Sequence, residues 1–369
     1  MPRPRIVIDG RYGLRNPRRG VGEYVYQLLK HLAALERPYD LTVLGDASAA
    51  PDVVREVGAL YPVVIRSAPN FFWWEQVVLP RAARGAALLH GTANLGPLTT
   101  TLPQILTIHD VIEWHRGREF PGEIAFRHKV SRFYRMNALR RLAPRARAIL
   151  TVSRHAQDDL AQTLKVSPER ITVTPLAPKP GVMRPHFPKA PYFLALGALD
   201  PRKNVMAVLR AMTRVPEPWR LKVVGAEPQA LPLWGRRCAE LGIAGRVDVA
   251  GMVSDDRLAD LYRHATAFVY PSYYEGFGLP VLEAMAQGCP VIASDRASLP
   301  EVMGAAGLAV PADDPVRLAA LMAELAADRP WQVILAHEGM VRAASFSWAH
   351  TALLTHQAYL KALGLAPEA

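Results

Sequence analysis

Cysteine is almost absent from the 369-residue sequence, which contains only Cys238 and Cys289. Two cysteines cannot supply the disulfide framework of a small secreted domain, so we expect a reducing cytoplasm. The sequence also lacks an apolar run of the roughly 20 residues that would span a bilayer. No signal-peptide pattern precedes the first predicted strand, Ile6–Ile8. We therefore expect a cytoplasmic protein, soluble or peripheral at the inner face of the cell membrane.

Acidic residues are scarce in the N-terminal half. Residues 1–190 contain 28 Lys and Arg against 15 Asp and Glu, whereas the remainder contains 16 against 18. Such a basic surface attracts anionic lipid headgroups or a phosphorylated acceptor. No recognised RNA or DNA motif accompanies the basic residues, so nucleic acid is not an expected partner.

The basic residues are densest around a predicted helix at 121–142, whose apolar stripe contains Ile124, Val130, Phe133, Leu139 and Leu142. A basic amphipathic helix lies on an anionic membrane surface in some proteins. The alternative is that the stripe packs inside the domain and the charges are solvated.

A complete dinucleotide fingerprint is also missing, because neither glycine turn shows G-x-G-x-x-G followed by a ribose-binding acid. This argues against a simple NAD-binding enzyme. Gly20 and Gly22 nevertheless open an amphipathic helix after the first strand, although a plain loop that needs flexible backbone explains them equally well.

The length of the chain predicts two domains. A proline-rich segment predicts a stiff linker between them, with Pro175, Pro178, Pro180, Pro185, Pro188 and Pro191. We place the domains at residues 1–180 and 190–348.

The stretch from Tyr270 to Ser294 is the most informative part of the sequence. A buried strand ends in Pro-Ser, a glycine-bracketed turn follows, and a helix with Pro280 near its start leads to another strand. This arrangement directs free backbone N–H groups at an anion beyond the strand. Glu275 precedes the helix and Glu283 lies inside it. The alternative is that Glu275 is only a charge favoured by the helix dipole at the N-terminus and that Glu283 is a solvated helix residue.

The string EGFGLPVLEAMAQGCPVIAS, from Glu275 to Ser294, closely resembles the E-x7-E signature of the retaining nucleotide-sugar glycosyltransferases of family 4. The resemblance implies the α/β fold called GT-B, with two Rossmann-like domains whose parallel sheets face across a cleft. It also implies that a last helix, at 349–369, packs back on the N-terminal domain. Glu275 would contact donor-sugar hydroxyls and Glu283 the ribose. Backbone near these acids would meet sugar or phosphate, at Gly276, Phe277, Gly278 and Leu279.

The resemblance extends to a turn that carries two cations. Lys203 matches a family lysine, whereas the family arginine is replaced by Ala198, so Arg202 is the substitute guanidinium. Two fixed cations suit a diphosphate whose charge must be neutralised as it departs. Gly225 ends the next predicted strand and Val253 ends the strand predicted at 247–253. Both are expected to flank the nucleotide, and the resemblance places Val253 beside the base.

In the N-terminal half, His109 and Asp110 follow the predicted strand Ile105–Ile108, where sites of α/β proteins gather. The resemblance places His109 beside the sugar and phosphate, and Gly20 and Gly22 near the donor phosphates. Asp110 and Ser153 are expected to approach the acceptor, although helix N-capping also explains Ser153.

An aromatic cluster, Phe71–Trp74, is expected either to pack in the core or to dock an acceptor. The string WWEQ followed by LP, and then Leu88–Gly91, is similar to mannosyltransferase-like members of the family.

These features predict a retaining hexosyltransferase that moves mannose or a related sugar, with GDP-mannose favoured, to a glycan or lipid-linked acceptor in cell-surface polysaccharide synthesis. No cofactor or metal is expected besides the nucleotide-sugar co-substrate. Retention by front-face attack is expected because no positioned nucleophile is evident. The alternatives are an epimerase or phosphorylase of the same fold, or a nucleotide-sugar-binding regulatory protein with a basic partner surface.

Overall fold

The computed structural model describes residues 2–115, 117, 126–179, 181 and 189–365. The chain divides into two units. The N-terminal unit contains the residues up to Trp114, a segment ending at Leu176 and the residues from Ser347 onward, and the C-terminal unit contains Ala177–Phe346. The predicted helical residues 121–125 and linker prolines 180, 185 and 188 lie outside the described residues.

The N-terminal unit is built around a parallel sheet whose order is β3-β2-β1-β4-β5-β6-β7. Its strands are β1 (Arg5–Asp9), β2 (Asp40–Asp46), β3 (Val63–Arg66), β4 (Leu88–Gly91), β5 (Gln104–Thr107), β6 (Ala148–Thr151) and β7 (Ile171–Val173). The central strands are buried along their whole length, as β4 and β5 illustrate. Burial on both faces is what continuous apolar runs in a parallel sheet indicate.

Helices connect these strands. They are α1 (Val21–Leu32), α2 (Pro51–Gly58), α3 (Phe71–Trp73), α4 (Leu79–Ala82), α5 (Ile112–His115), α6 (Phe126–Leu142) and α7 (Arg154–Leu164). A single π-helical stretch, Trp74–Val78, joins α3 to α4. Such stretches are uncommon and often occur at functional sites.

The C-terminal unit has a six-stranded parallel sheet in the order β10-β9-β8-β11-β12-β13. Its strands are β8 (Ala190–Leu196), β9 (Arg220–Val224), β10 (Val247–Val249), β11 (Ala265–Tyr270), β12 (Val291–Ser294) and β13 (Leu308–Val310). The strand predicted at 247–253 is too long, because β10 ends at Val249. Beyond it the backbone is no longer in the ladder, and Gly251 O accepts a hydrogen bond from Gly225 N–H.

The helices of this unit are α8 (Val205–Met212), α9 (Ala230–Glu240), α10 (Asp255–His264), α11 (Leu279–Ala286), α12 (Leu299–Met303), α13 (Pro315–Ala327) and α14 (Arg329–Ala344). Parallel strands joined by helices in both units confirm the predicted α/β class. The predicted strand, glycine turn, helix and strand correspond to β11, α11 and β12.

The last helix, α15 (Trp348–Leu363), belongs to the N-terminal unit and packs against α1. Tyr359 on α15 contributes its hydroxyl to His90 Nδ1 at 2.6 Å, and His356 Nδ1 lies 2.8 Å from the hydroxyl of Tyr39. One buried contact thus fixes the helix to β4, and one part-buried contact fixes it to the residue before β2. Across the described part of the chain, no helix has the length and apolar character needed to cross a bilayer.

Each sheet contains a point where the direction of strand addition reverses. β1 lies between β2 and β4 in the N-terminal sheet, and β8 lies between β9 and β11 in the C-terminal sheet. In open α/β sheets, ligands bind outside the carboxyl ends of the strands at such a switch point. The topology therefore marks one candidate binding edge in each unit.

Candidate active site in the C-terminal unit

Glu275 lies at the switch point of the C-terminal sheet, where the chain leaves β11. Its Oε1 accepts hydrogen bonds from Lys203 Nζ at 2.7 Å, the Tyr270 hydroxyl at 2.7 Å and Ser272 Oγ at 2.8 Å. Its Oε2 pairs with Arg202 Nη1 at 2.6 Å. The structure thus brings together three of the four predicted catalytic residues, Arg202, Lys203 and Glu275.

The two cations are held by the 3₁₀ turn Pro201–Lys203, which follows β8. Tyr273 N–H donates to Arg202 O at 2.8 Å and thereby attaches this turn to the segment after β11. Asn204 ends the turn in the left-handed region, with φ of 54°, and its side chain donates to Pro271 O at 3.1 Å. The turn and the acid are therefore fixed relative to each other by backbone contacts as well as by charge.

The charges of this cluster determine its protonation. Burial opposes the ionisation of Glu275, but the adjacent Lys203 and Arg202 lower the pKa of its carboxyl to about 2. Burial lowers the pKa of Lys203, and Glu275 partly opposes that effect. Burial would also lower the pKa of Arg202, but the charge of Glu275 outweighs it and raises that pKa. Arg202 Nε also lies 3.4 Å from Asp200 Oδ2, so two cations face two carboxylates in this cluster.

The glycine turn after Glu275 admits no larger side chain at Gly278. Its φ is +108°, and an added Cβ would lie 2.6 Å from Leu299 Cδ2. Ser298 Oγ donates to the backbone oxygens of Glu275, at 2.8 Å, and Phe277, at 2.7 Å. These bonds fix the turn from which α11 begins. In the first turn of α11, Val281 and Leu282 N–H donate to Gly278 O at 2.9 and 3.4 Å, and Pro280 has no N–H.

The other predicted donor-binding residues lie at the same end of the C-terminal sheet. Gly225 directly follows β9 and has φ of +79°, and Val253 comes after β10. Gly276, Phe277 and Leu279 lie between β11 and the first residue of α11, and the half-buried Glu283 lies further along α11. Their roles in binding sugar, phosphate or nucleotide stay predictions.

His109, the fourth predicted catalytic residue, follows β5 in the N-terminal unit. Its Nε2 donates to Thr92 O at 3.0 Å, and its ring meets Tyr24 edge-on at 4.9 Å. Burial lowers the pKa of His109 to about 4, so the ring is uncharged at neutral pH. Its contact with the donor stays a prediction.

The remaining predicted residues of the N-terminal unit have local structural roles. Ser153 is fully buried, and its Oγ accepts a hydrogen bond from Ala156 N–H at 3.0 Å. Ser153 thus caps α7, as the alternative explanation from the sequence predicts. Asp110 accepts from Ile112 N–H at 3.2 Å. Gly20 has φ of +51° and precedes α1, and a Cβ at Gly22 would lie 2.9 Å from Tyr12 O. The acceptor and phosphate contacts of these residues stay predictions.

The apolar side chains of α6 and of the aromatic cluster Phe71–Trp74 are partly buried in the core and partly exposed at the surface. In α6, Leu139 and Leu142 are buried, whereas Val130 is 59% and Phe133 72% exposed. The aromatic cluster divides similarly, because Trp74 is buried while Phe72 and Trp73 are 52% and 46% exposed. Neither the fully packed nor the fully exposed alternative describes these segments.

Sequence reasoning did not assign Tyr270 and Ser272 to the site, although both hydroxyls contact Glu275. Tyr270 is buried at the end of β11, and its hydroxyl also contacts Lys203 Nζ. The available signal was their position, because both directly precede the glycine turn at the carboxyl end of a strand.

Comparison with known proteins decides the family. The model described as "Glycosyltransferase Family 4" matches residues 18–177, and that described as "Glycosyl transferases group 1" matches residues 190–328. The MMP alpha-(1->4)-mannosyltransferase of Mycolicibacterium hassiacum is 33% identical over 285 residues, 74% of this chain and 69% of that protein. The chain belongs to glycosyltransferase family 4. The predicted family is thereby confirmed.

The O-antigen chain mannosyltransferase B of Escherichia coli is 34% identical to this glycosyltransferase over 238 residues. That match spans 58% of this chain and 60% of the length of the relative. The chain thus aligns with somewhat less than two thirds of that protein.

Solved structures confirm the predicted GT-B fold. A sucrose-phosphate synthase from Thermosynechococcus elongatus superposes with a TM-score of 0.77 over 97% of this chain and 98% of its own, at 22% identity. HepE from Anabaena, in complex with UDP-glucose, superposes with a TM-score of 0.74 over 95% of this chain and 97% of its own, at 15% identity. At these identities the likeness concerns the fold alone.

Proposed function

We propose that this glycosyltransferase moves mannose or a closely related hexose from a nucleoside diphosphate sugar to a glycan or lipid-linked acceptor in polysaccharide synthesis. GDP-mannose is the favoured donor. Support comes from two relatives above 30% identity, both of which are mannosyltransferases by name. HepE was solved with UDP-glucose, which supports a nucleotide-sugar donor for the same fold.

The observation that carries the proposal is the convergence of Arg202 and Lys203 on Glu275 at the switch point. Breaking a glycosidic bond to a diphosphate leaves negative charge on the departing phosphate. Fixed cations stabilise such charge as it develops, without reorganisation at the moment of reaction. The N-terminus of α11, next in the chain, adds a partial positive charge. These groups account for charge neutralisation without a metal ion.

Glu275 has the complementary role toward the sugar. An ionised carboxylate only accepts hydrogen bonds, so it is suited to orient hydroxyl groups of the donor. Both of its oxygens already contact cations or hydroxyls, with Lys203, Tyr270 and Ser272 on Oε1 and Arg202 on Oε2. A carboxylate so strongly stabilised is a weak nucleophile. We therefore assign retention of anomeric configuration to front-face attack by the acceptor rather than to a covalent intermediate.

We also propose that α6 brings the enzyme to an anionic membrane surface. Val130 and Phe133 are exposed, and the exposed Arg140 and Arg141 lie further along the same helix. Apolar insertion and attraction to anionic lipids reinforce each other at such surfaces. Sedimentation with phosphatidylglycerol vesicles should exceed that with phosphatidylcholine vesicles, and Phe133→Ser should reduce it. Equal sedimentation with both lipids would contradict the membrane proposal.

A thermal-shift panel of GDP-, UDP-, ADP- and TDP-sugars tests the donor proposal, because a ligand that binds only the native state raises its stability. GDP-mannose should raise the melting temperature of the wild type but not of Lys203→Met. Lys179→Met is the matched control, since Lys179 also pairs with an acid, Asp255, in the C-terminal unit. This control should retain the shift. The absence of any shift in the wild type, or an undiminished shift in Lys203→Met, would overturn the site.

A further inference from the structure

A cavity of about 840 Å³ lies at the amino edge of the N-terminal sheet, the edge at which its parallel strands begin. Its walls are formed by residues that precede or begin β1, β2 and β3. Since β1 has five residues, this edge lies roughly 15 Å from the carboxyl edge at the usual rise of a strand. The volume is within the range of small-molecule sites. The cavity is thus a second candidate site, away from the carboxyl ends of the strands.

Three arginines, Arg3, Arg5 and Arg37, line this cavity and are called the cavity arginines below. Arg3 and Arg5 lie just before and at the start of β1, and Arg37 lies in the segment before β2. β1 and β2 are hydrogen-bonded neighbours, so the three cations come from adjacent positions along one edge. Like charges that are brought together repel one another unless a counter-charge joins them. The arrangement therefore favours an anion in the cavity.

Arg37 provides the most specific indication of a ligand. It is half-buried, and its Cζ lies 4.9 Å from the centroid of the Tyr61 ring. Burial raises the pKa of Tyr61 to about 12, and the charge of Arg37 opposes the rise. Within the described part of the chain, Arg37 Nη1 has no hydrogen-bond partner. A buried N–H without an acceptor is costly, and the cavity that this side chain lines gives an external acceptor access to the guanidinium.

The cavity arginines differ from other arginines of the same unit. Arg15 Nη2, for example, lies 2.8 Å from Asp46 Oδ2. Among the residues that the structure describes, none of the cavity arginines has such an ion pair within 4.0 Å. Arg5 Nη2 donates instead to Arg84 O at 2.7 Å, a contact that holds the side chain without neutralising its charge. Their charges are therefore available to a ligand.

Two carboxylates, Glu36 and Asp40, also line the cavity, and both are exposed. Water and salt screen exposed charges more strongly than partly buried ones, so these acids only partly offset the half-buried Arg5 and Arg37. They also bear on the source of the anion. An anionic bilayer would meet both carboxylates at the rim, and like charges repel. The cavity is therefore suited to a small soluble anion rather than to a lipid headgroup.

We propose that the cavity arginines bind a small soluble anion that carries phosphate, at the amino edge of the N-terminal sheet. Guanidinium groups match phosphate with two parallel N–H bonds, and one phosphate group brings about 1.5 to 2 negative charges at pH 7. The cavity accommodates a phosphate ester or a diphosphate as well as a single phosphate. This site is separate from the cluster of Arg202 and Lys203, and it does not rest on the proposed transferase function.

Two side chains connect the cavity walls to helices of the N-terminal unit. The Tyr61 hydroxyl donates to Leu29 O, in α1, at 2.7 Å. The Tyr39 hydroxyl lies 2.8 Å from His356 Nδ1, in α15. Both tyrosines line the cavity. A ligand that binds there only in the folded state should therefore raise the stability of the protein.

Isothermal titration calorimetry with inorganic pyrophosphate tests the site in the Lys203→Met protein, in which the C-terminal site has lost a cation. This parent should bind pyrophosphate, and adding Arg37→Met should weaken binding about 10- to 100-fold, as expected for a lost hydrogen bond to a charged group. Adding Arg66→Met is the matched control, because the exposed Arg66 ends β3 at the opposite edge, and it should leave binding unchanged. No binding by the parent, or undiminished binding after Arg37→Met, would overturn the proposal.

Arg37→Lys in the same parent keeps the charge but loses the planar set of donors, so its affinity should lie between those of the parent and the Arg37→Met protein. Thermal melting followed by circular dichroism verifies that each variant is folded. Binding by Arg37→Lys as tight as that of the parent would contradict recognition of phosphate by the guanidinium.

The GDP-mannose thermal shift separates this proposal from the proposed function. Arg37→Met in an otherwise wild-type chain should retain the shift, since Arg37 lies outside the donor site. Pyrophosphate binding that depends on Arg37, without a GDP-mannose shift in the wild type, overturns the proposed donor alone. A GDP-mannose shift without such pyrophosphate binding overturns the cavity site alone.

Sedimentation with phosphatidylglycerol vesicles tests whether the phosphate is soluble. Arg37→Met should sediment with the vesicles to the same extent as the wild type. A loss of sedimentation as large as that caused by Phe133→Ser would assign the cavity to lipid headgroups and contradict the soluble-anion proposal.

Discussion

Lys203 Nζ lies 2.7 Å from Glu275 Oε1, although 72 positions separate the two residues in the sequence. The contact follows from topology, because Lys203 comes after β8 and Glu275 after β11, and these strands are neighbours in the sheet. After β8 the chain forms β9 and β10 on one side of β8 and then crosses to the other side to form β11. The candidate site is therefore a consequence of strand order as well as of two short motifs.

Glu275→Gln should reduce kcat about 10²- to 10³-fold, the range observed when one preorganised electrostatic contact is removed from an active site. The amide keeps the shape of the carboxylate but does not balance Arg202 and Lys203. Steady-state rates with saturating GDP-mannose measure the effect. Glu240→Gln, which alters a surface ion pair with Arg237 in the same unit, is the control and should keep full activity. A Glu275→Gln enzyme with near-normal turnover would exclude the proposed role.

Tyr270→Phe should lower kcat by about 10-fold and change the free energy of unfolding by only about 1 kcal/mol. The substitution removes a hydroxyl that contacts both Lys203 and Glu275, and it leaves the buried ring in place. Tyr192→Phe removes a hydroxyl that donates to Leu261 O at 2.8 Å and should change stability alone. Similar kinetics for the two variants would show that Tyr270 does not position the cluster.

Gly278→Ala should destabilise the enzyme by about 1–3 kcal/mol, because the left-handed backbone and the contact with Leu299 both oppose a Cβ. Gly235→Ala is the matched control. Gly235 lies within α9 with open space around it, and alanine there should stabilise the protein by about 0.5–1 kcal/mol. Urea denaturation measures both changes. A neutral Gly278→Ala substitution would contradict the geometry of the turn.

The raised pKa of Glu75 predicts the direction of a pH effect on stability. Because the folded protein retains the proton up to about pH 8 and the unfolded chain loses it near pH 4.5, the contribution of this group to stability falls as the pH rises between these values. Urea denaturation of wild type and Glu75→Gln from pH 5 to 8.5 measures it. The stability of the variant relative to the wild type should increase with pH, and a constant difference would contradict the burial of a neutral acid.

Chelation tests the proposal that Arg202 and Lys203, rather than a metal ion, neutralise the leaving diphosphate. Treatment with EDTA followed by dialysis should leave the rate of sugar transfer within about 2-fold of its initial value, because covalently fixed cations are not removed. Transfer is assayed before and after addition of Mg²⁺ or Mn²⁺. A large loss that either metal restores would show that the cations are insufficient.

The sequence predicted the parts of the fold and site that are encoded locally. The apolar run ending at Tyr270, the glycine turn and the helix containing Pro280 correspond to β11, the turn and α11, because each has a distinct residue pattern. The α/β class, the GT-B fold and the family were predicted from the same stretch. The meeting of Lys203 with Glu275 was expected only through the family resemblance.

Features that depend on distant contacts were not predicted. Trp74 and Asp9 are 65 positions apart, and no local pattern indicates that Trp74 and Glu75 join Arg11 at the end of β1. The division of the aromatic cluster into buried Trp74 and exposed Trp73 has the same origin. It depends on which face of a short π-helical stretch meets the sheet, and adjacent aromatic residues carry no periodicity that reveals this.

The anomeric configuration of the product is the most direct test of the central claim. The enzyme is incubated with GDP-mannose labelled with ¹³C at the anomeric carbon and with methyl α-D-mannopyranoside, and the one-bond C–H coupling of the product is measured by NMR. The account predicts an α-mannoside formed by the wild type and not by Lys203→Met. A β-linked product, or equal transfer by Lys203→Met, would contradict it.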